Sequence, residues 1–470
     1  MKKKLKVYSM TALASLMFAT PALACDIDGL GKSDYEYDAN ASYRYGDEGM
    51  NEIPVMEGSK NFKFLNESAA VPLQTSDAGL PVTGADVYAH KGYAYMGTHR
   101  LGSGSNEGVR VFDMKDPSNP VEVAKFGDDM PGTWQEKIIV KSVNTPHFKG
   151  DLAVVSVQRF SGAAEKVGTA IYDVTDPTNP VELGFWETPE AHLNGGGTHE
   201  LYLTTQGNRA LLLAANSGSY RRSGGAIHDF VIVDVSNPSE PEELYQFDPK
   251  SVLPNVDNNY RFVDEHGQTR SISVHSVIAD TTGKYAYLSA WDMGTVILDI
   301  SDPEKPEYVG RTSYEKEVQG AAHSAALAKG GNVLIETREV FNPERHGYEE
   351  GFGYVRIYDT KDKSNPKLIS TFQTDNSANM RQAYPGFTVH DPKVQGNTLF
   401  LSHYFDGVRI VDITNPAKPE EIGAYVPEKS NIWGVFAHRN YILASDMESG
   451  LKVLQRTGNG NNGNNGNSKK

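Results

Sequence analysis

The sequence predicts an all-β fold, a seven-bladed β-propeller of four-stranded antiparallel blades. Three observations carry that prediction. Six segments repeat one short strand, at 109–113, 170–173, 230–234, 296–299, 355–359 and 408–412, each rich in β-branched residues and each ending in Asp. Turns of the type Asp-Pro-x-x-Pro or Asn-Pro-x-x-Pro follow, as at 116–120 and 415–419. The repeated aspartates Asp113, Asp173, Asp234, Asp299, Asp359 and Asp412 are spaced by 60, 61, 65, 60 and 53 residues, and a degraded seventh copy at 450–455 follows 43 residues on. Such a unit cannot bury its own apolar face and must stack on copies of itself.

The fourth copy gives the unit in order. Strand A starts near Val274 and runs to Ala279, and a Thr-Thr-Gly turn leads to strand B at 285–289. Strand C is 295–299, and strand D follows the proline turn at 306–310. Alternating apolar residues punctuated by Gly and Pro are strand and turn signals, and helix-period stretches are scarce. The recurring Asp at the end of strand C is expected to accept backbone N–H groups of the proline turn.

Blade seven has A from Trp433, B at 441–445 and C at 451–454, but no strand D, because the chain passes after Gln455 into a Gly/Asn-rich tail, 457–470, without apolar residues. The segment 61–65 alternates correctly and precedes blade one, so it is expected to close the ring beside Lys452. The propeller is thus assigned to 59–456.

The strand-C signature resembles that of the bacterial LVIVD-repeat proteins, a family of secreted propellers, over roughly residues 83–455. The resemblance implies a secreted propeller and little about chemistry, because the family is functionally mixed.

Residues 1–24 read as a secretory signal: Lys2, Lys3, Lys4 and Lys6, a short apolar run, then Ala22-Leu-Ala24. Cys25, the only cysteine, is the first residue after the expected cut. It is either lipidated or a free terminal thiol, and neither leaves an intrachain disulfide. Residues 25–58 are expected to be a tether. The expected location is the cell envelope, by a lipid anchor or in the periplasm, or the extracellular space. The formal charge of −15 argues against nucleic acid as a partner, and any membrane contact would come through the anchor alone. A monomer is expected.

Aligning strand A places Ala85, Lys141, His199, His275, His323, His390 and Trp433 at one repeat position. Four consecutive blades therefore offer histidine at the mouth of the central channel. Neutral imidazole is a ligand for Zn, Cu, Fe or Mn, so these four are candidate metal ligands. Glu200, Asp391, His403, Glu336 and Asp446 are candidates to orient the imidazoles or touch substrate. Arg221 and Arg338 lie in the long B–C insertions of blades three and five, with Arg345 and His346; insertion arginines could hold an anionic substrate. The same recurrence also fits a structural role, each histidine donating to a backbone carbonyl of the next blade. Ser276 and Ser324 lack a nucleophile elbow, and the glycines at 195–197 precede a strand, not a phosphate-binding helix.

The functional expectation is a transition-metal site of unknown identity. It could serve an oxidase, hydrolase or lyase acting on a small molecule or glycan. The competing class is a non-catalytic surface scaffold that binds a protein or glycan.

Overall fold

The computed structural model describes residues 62–64, 82–100, 108–159, 162–190, 193, 195–264, 266–316, 318–340, 352–379, 385–427, 431–447 and 449–456. The expected signal, tether, Cys25, the tail, Arg345 and His346 lie outside the described residues.

Seven antiparallel blades form a propeller. Blade one comprises Val82–His90, Tyr93–Arg100, Val109–Asp113 and Val121–Phe126. Blade two comprises Ile138–Asn144, Lys149–Arg159, Val167–Asp173 and Val181–Thr188, with the short strand Thr133–Trp134 added against its strand B. Blade three is Glu200–Gln206, Arg209–Ala215, Phe230–Asp234 and Glu242–Gln246. Blade four is Ser276–Ala279, Tyr285–Ser289, Thr295–Asp299 and Glu307–Arg311. Blade five is Ala322–Ala328, Val333–Arg338, Val355–Asp359 and Lys367–Phe372. Blade six is Pro392–Gln395, Thr398–Ser402, Val408–Asp412 and Glu420–Tyr425. Blade seven is Ile432–His438, Tyr441–Asp446 and Gly450–Arg456.

Strand D of blade seven is Phe62–Phe64, from the other end of the described chain. Its partners are Leu454 to Arg456, two residues beyond the Lys452 expected from the sequence.

The core is divided among the seams between blades, because strand residues alternate between two faces and each face meets a neighbour. In strand C of blade three, Phe230 and Ile232 pack toward blade four, and Val231 and Val233 toward blade two. The last seam joins blade seven to blade one through Leu451 and Val453 against Val87 and Met96.

The turns follow from the repeated aspartates. Oδ1 of Asp113, Asp173, Asp234, Asp299, Asp359 and Asp412 accepts the backbone N–H two residues on, at 2.7–3.0 Å. The Asp or Asn of the proline turn repeats the bond at Asp116, Asp176, Asp302, Asp362 and Asn415.

Candidate metal centre

Strand A of each blade begins nearest the propeller axis, where two residues from its start and one from the end of strand B make three levels. Cross-strand register fixes which residues are equivalent. The lower level is Asp86, Lys137, Glu200, Ser276, Ser324, Asp391 and Gly434. Of these, Glu200, Ser276, Ser324 and Gly434 pair with Ala215, Ser289, Thr337 and Ser445, and the other three directly precede the first paired residues Val87, Ile138 and Pro392. One residue earlier in strand A is the middle level: Ala85, Glu136, His199, His275, His323, His390 and Trp433. The upper level comes from the end of strand B: His99, Gln158, Ser217, Trp291, Glu339, Tyr404 and Met447. The sequence alignment therefore needs one correction, since Glu136, and not Lys141, holds the histidine position in blade two. Lys141 lies further down strand A, half-buried.

Two successive residues point inward because the ladder is interrupted where strand A begins. The N–H groups of His199, His275 and His390 each bond the carbonyl of the strand-B residue opposite the next position, at 2.8–3.0 Å. In blades five and seven the register shifts at this point, with His323 and Trp433 as the inserted residues. A bulge of this kind re-aims a side chain.

The upper level locks the middle one. Trp291 bridges Ala322, the residue before His323, and Tyr404 bridges Ile432, the residue before Trp433, each by a reciprocal pair of backbone bonds at 3.0–3.2 Å. Both aromatics are held at positive φ, 52° for Trp291 and 42° for Tyr404. Bulky residues rarely adopt that conformation, and it persists only where surrounding bonds over-determine it.

The structure brings the four histidines into one row. Ring centroids are 4.5 Å apart between His199 and His275, 3.9 Å between His275 and His323, and 4.8 Å between His323 and His390. All four are buried. The ends of the row differ. His199 Nδ1 lies 3.0 Å from Glu136 Oε2 and 3.1 Å from Gln158 Oε1, while its Nε2 faces His275 Nε2 at 2.9 Å. Burial opposes the imidazolium at His199, but the Glu136 carboxylate outweighs it and moves the pKa up. At the other end His390 Nδ1 bonds the Trp433 carbonyl at 2.6 Å. Burial lowers His390 to about 4 and holds His275 and His323 well below the ordinary value, so these three are neutral at pH 7.

The tightest potential ligand group is His323, Glu339 and His390, whose ligand atoms all lie within 4.8 Å of one another. His323 Nε2 is 3.3 Å from Glu339 Oε2, and Ser324 Oγ lies 2.9 Å from His323 Nδ1. Glu339 is steadied through its other oxygen, which accepts from Tyr404 at 2.5 Å. The donor set fits a metal. Neutral imidazoles present Nε2 beside a carboxylate, with Nδ1 turned to outer partners as metal-bound histidines require. His275 Nδ1 is a buried nitrogen without a hydrogen-bond partner. Two imidazoles and one carboxylate are also a known ligand set for zinc and for non-haem iron.

The other sequence candidates are placed as follows. Glu200 and Asp391 do not accept from the imidazoles. They and Asp86 surround Lys137, whose Nζ lies 3.0 Å from Asp86, 3.0 Å from Glu200 and 3.4 Å from Asp391. Burial raises Glu200 to about 8 and raises Asp86, while Lys137 and Lys393 hold Asp391 low, so Asp391 is the firmest negative charge on the lower side of the row. Glu336 is taken up in the seam between blades four and five, where it accepts from Thr295, Thr312 and Arg356. Arg338 is fully buried and straps the Gln319 carbonyl at 2.6 Å, so it is no loop cation. His403 sits with Asp406 and Arg409, and Tyr404 takes the place against His390, with centroids 5.0 Å apart. Asp446 holds the position matching His403, and Met447 the axial one. Arg221 is half-buried in the blade-three insertion. Sequence reasoning missed Glu136, Glu339, Gln158, Tyr404 and Trp291. Each upper-level residue stands two positions after the strand-B residue that faces the lower level, as Glu339 does after Thr337 and Trp291 after Ser289.

The LVIVD repeat family model matches residues 226–248, 266–313 and 389–426. The chain carries LVIVD repeats. The matched stretches carry strands C of blades three, four and six, whose signatures first indicated the repeat. No curated protein matches this LVIVD-repeat chain. Among solved structures, Raptor from Chaetomium thermophilum aligns at TM-score 0.50 and 12% identity, covering 85% of this chain and 30% of that one. The computationally designed Ika8 protein aligns at TM-score 0.46 and 9% identity, over 85% of this chain and all of the designed one.

Proposed function

We propose that this LVIVD-repeat propeller is an exported protein that binds a transition-metal ion at the axial end of blades five and six. His323, His390 and Glu339 would be ligands, with His275 beside them. The observation that carries the reading is the convergence of those three ligand groups within 4.8 Å, in a row of buried imidazoles. Zn, Cu, Fe or Mn suits imidazole and carboxylate donors, and such an ion when bound supplies Lewis acidity or, for Cu and Fe, redox chemistry. The chain's own groups position the ligands: Tyr404 holds Glu339, Ser324 meets His323, and the Trp433 carbonyl fixes the His390 tautomer. A small-molecule or glycan substrate and an oxidase, hydrolase or lyase reaction belong to the same proposal. So do the monomeric state and a cell-envelope or extracellular location, which rest on the leader and Cys25.

A second reading has one specific observation behind it. His390 bonds a carbonyl of blade seven, so the histidines could serve as inter-blade fasteners in a scaffold that binds a surface protein or glycan. Metal content distinguishes the two. Protein purified without a histidine tag and equilibrated with each metal in turn should hold one equivalent of one of them by mass spectrometry. His323→Ala and Glu339→Gln should lower the affinity at least tenfold while the far-ultraviolet spectrum is unchanged. A wild-type protein that retains none of the four metals would leave the fastener reading.

A further inference from the structure

The B–C insertion of blade three carries two guanidiniums to the edge of the histidine row. A single helical turn, Ser219–Arg222, follows Ser217, the upper-level residue of that blade. Arg222 Nη1 donates to the Ser217 carbonyl at 2.7 Å, and Nη2 donates to Ser219 Oγ at 3.1 Å. A Cβ on Gly195 would stand 3.8 Å from Nη1, so the glycine backbone lies against the guanidinium. The Gly195 carbonyl in turn accepts from Gln158 Nε2 at 3.1 Å, and Gln158 Oε1 is 3.1 Å from His199 Nδ1. Arg222 is near enough for its charge to disfavour the His199 imidazolium.

Two local carboxylates, Glu190 and Asp229, face these guanidiniums without saturating their donors. Glu190 Oε1 reaches Arg222 Nη2 only at 3.5 Å, and Glu190 Oε2 accepts from the Gly197 N–H at 3.0 Å. Asp229 accepts the Tyr220 N–H at 2.9 Å; burial pushes its pKa up to about 6 and the two guanidiniums pull it down, so it offers them a carboxylate at pH 7 but no hydrogen bond. The Nε atoms of both Arg221 and Arg222 are buried and have no hydrogen-bond partner. Guanidinium presents five donors in a planar fork matched to carboxylate and phosphate oxygens. Here a fork with unused donors is fixed by main-chain and side-chain bonds three steps from the first imidazole of the row, through Gly195 and Gln158.

We propose that Arg222, with Arg221 beside it, is an oxyanion-binding site at the rim of the axial cluster, so that the ligand brought there carries a carboxylate or phosphate group. This rests on the reading that the axial cluster is the functional site, but the anion site itself does not require the metal. The test is calorimetric titration of acetate and of inorganic phosphate into the metal-free protein at constant ionic strength, with metal content determined in parallel. Saturable binding of at least one anion is expected in the wild type. Arg222→Ala should weaken it at least tenfold, and Arg222→Lys should fall between, because an ammonium keeps the charge and loses the fork. If Arg222→Ala does not fold, Arg222→Lys and Arg221→Ala carry the comparison. The anion that binds tells carboxylate from phosphate. Equal binding by wild type and both Arg222 variants, or no saturable binding of either anion, overturns the proposal. Anion binding in a protein that takes up no metal keeps this site and removes the metal reading, and metal uptake without Arg222-dependent anion binding does the reverse.

Discussion

Asp229 shows how one buried side chain can set the pH behaviour of a blade. Its carboxyl is almost fully enclosed beside Tyr220, and burial raises its pKa to about 6 against bonds that favour the charged form. A carboxyl raised in the folded state binds its proton more tightly than in the unfolded chain. Its contribution is therefore complete below the ordinary carboxylate value and is lost as pH rises through about 6. On the order of 3 kcal/mol is at stake, judged from the size of the displacement. Urea unfolding from pH 4 to pH 7.5 should show this loss in the wild type, and Asp229→Asn should flatten it, because the amide oxygen can still accept from Tyr220. An identical pH slope in both proteins would assign the dependence to other groups.

Strands and turns carry the most legible part of this molecule. The Asp that ends strand C was readable as a turn acceptor because one acceptor two residues before a proline turn does the same work in every copy, and all six bonds are present. Asp412→Ala should cost about 1 kcal/mol, the usual net worth of such a bond, in the urea midpoint. Metal affinity should not change, since the turn lies at the other end of the strand from the histidines. The middle axial level was legible for the same reason in blades three to six, where histidine stands directly before the paired part of strand A. It was not legible in blade two. There the chain enters through the extra strand Thr133–Trp134, and a sequence alignment slides past Glu136 to Lys141. Glu339 escaped because the upper level carries a different residue type in every blade, so recurrence gives no signal there. Tyr404→Phe tests that element. It removes the hydroxyl that holds Glu339 and keeps the ring packed on His390, so metal affinity should fall about tenfold or more with little loss of fold stability.

Across the whole molecule, seven seams close a ring, and one buried cation ties its axis. Lys137 belongs to blade two, yet it meets Asp86 of blade one, Glu200 of blade three and Asp391 of blade six. The last contact crosses the channel, joining parts of the chain 254 residues apart. Desolvation disfavours the ammonium, but the three carboxylates reverse this and hold its pKa well above the ordinary lysine value. Replacing the whole cluster with apolar residues could be neutral, but removing Lys137 alone leaves Asp86 and Glu200 without their counter-charge, while Asp391 keeps Lys393, at a cost of about 3–5 kcal/mol. Lys137→Met preserves the side-chain length and deletes only the charge, so packing loss is small. Its deficit against wild type should be largest above pH 8, where the orphaned carboxylates must stay ionised, and should shrink as pH falls and they take up protons. Adding Asp86→Asn to Lys137→Met should recover part of the loss, because one uncompensated charge is removed. Melting temperatures measured from pH 5 to pH 9 decide the matter. A Lys137→Met protein as stable as wild type at pH 9 would mean that the inter-blade seams alone hold the ring and that the axial cation adds nothing to its closure.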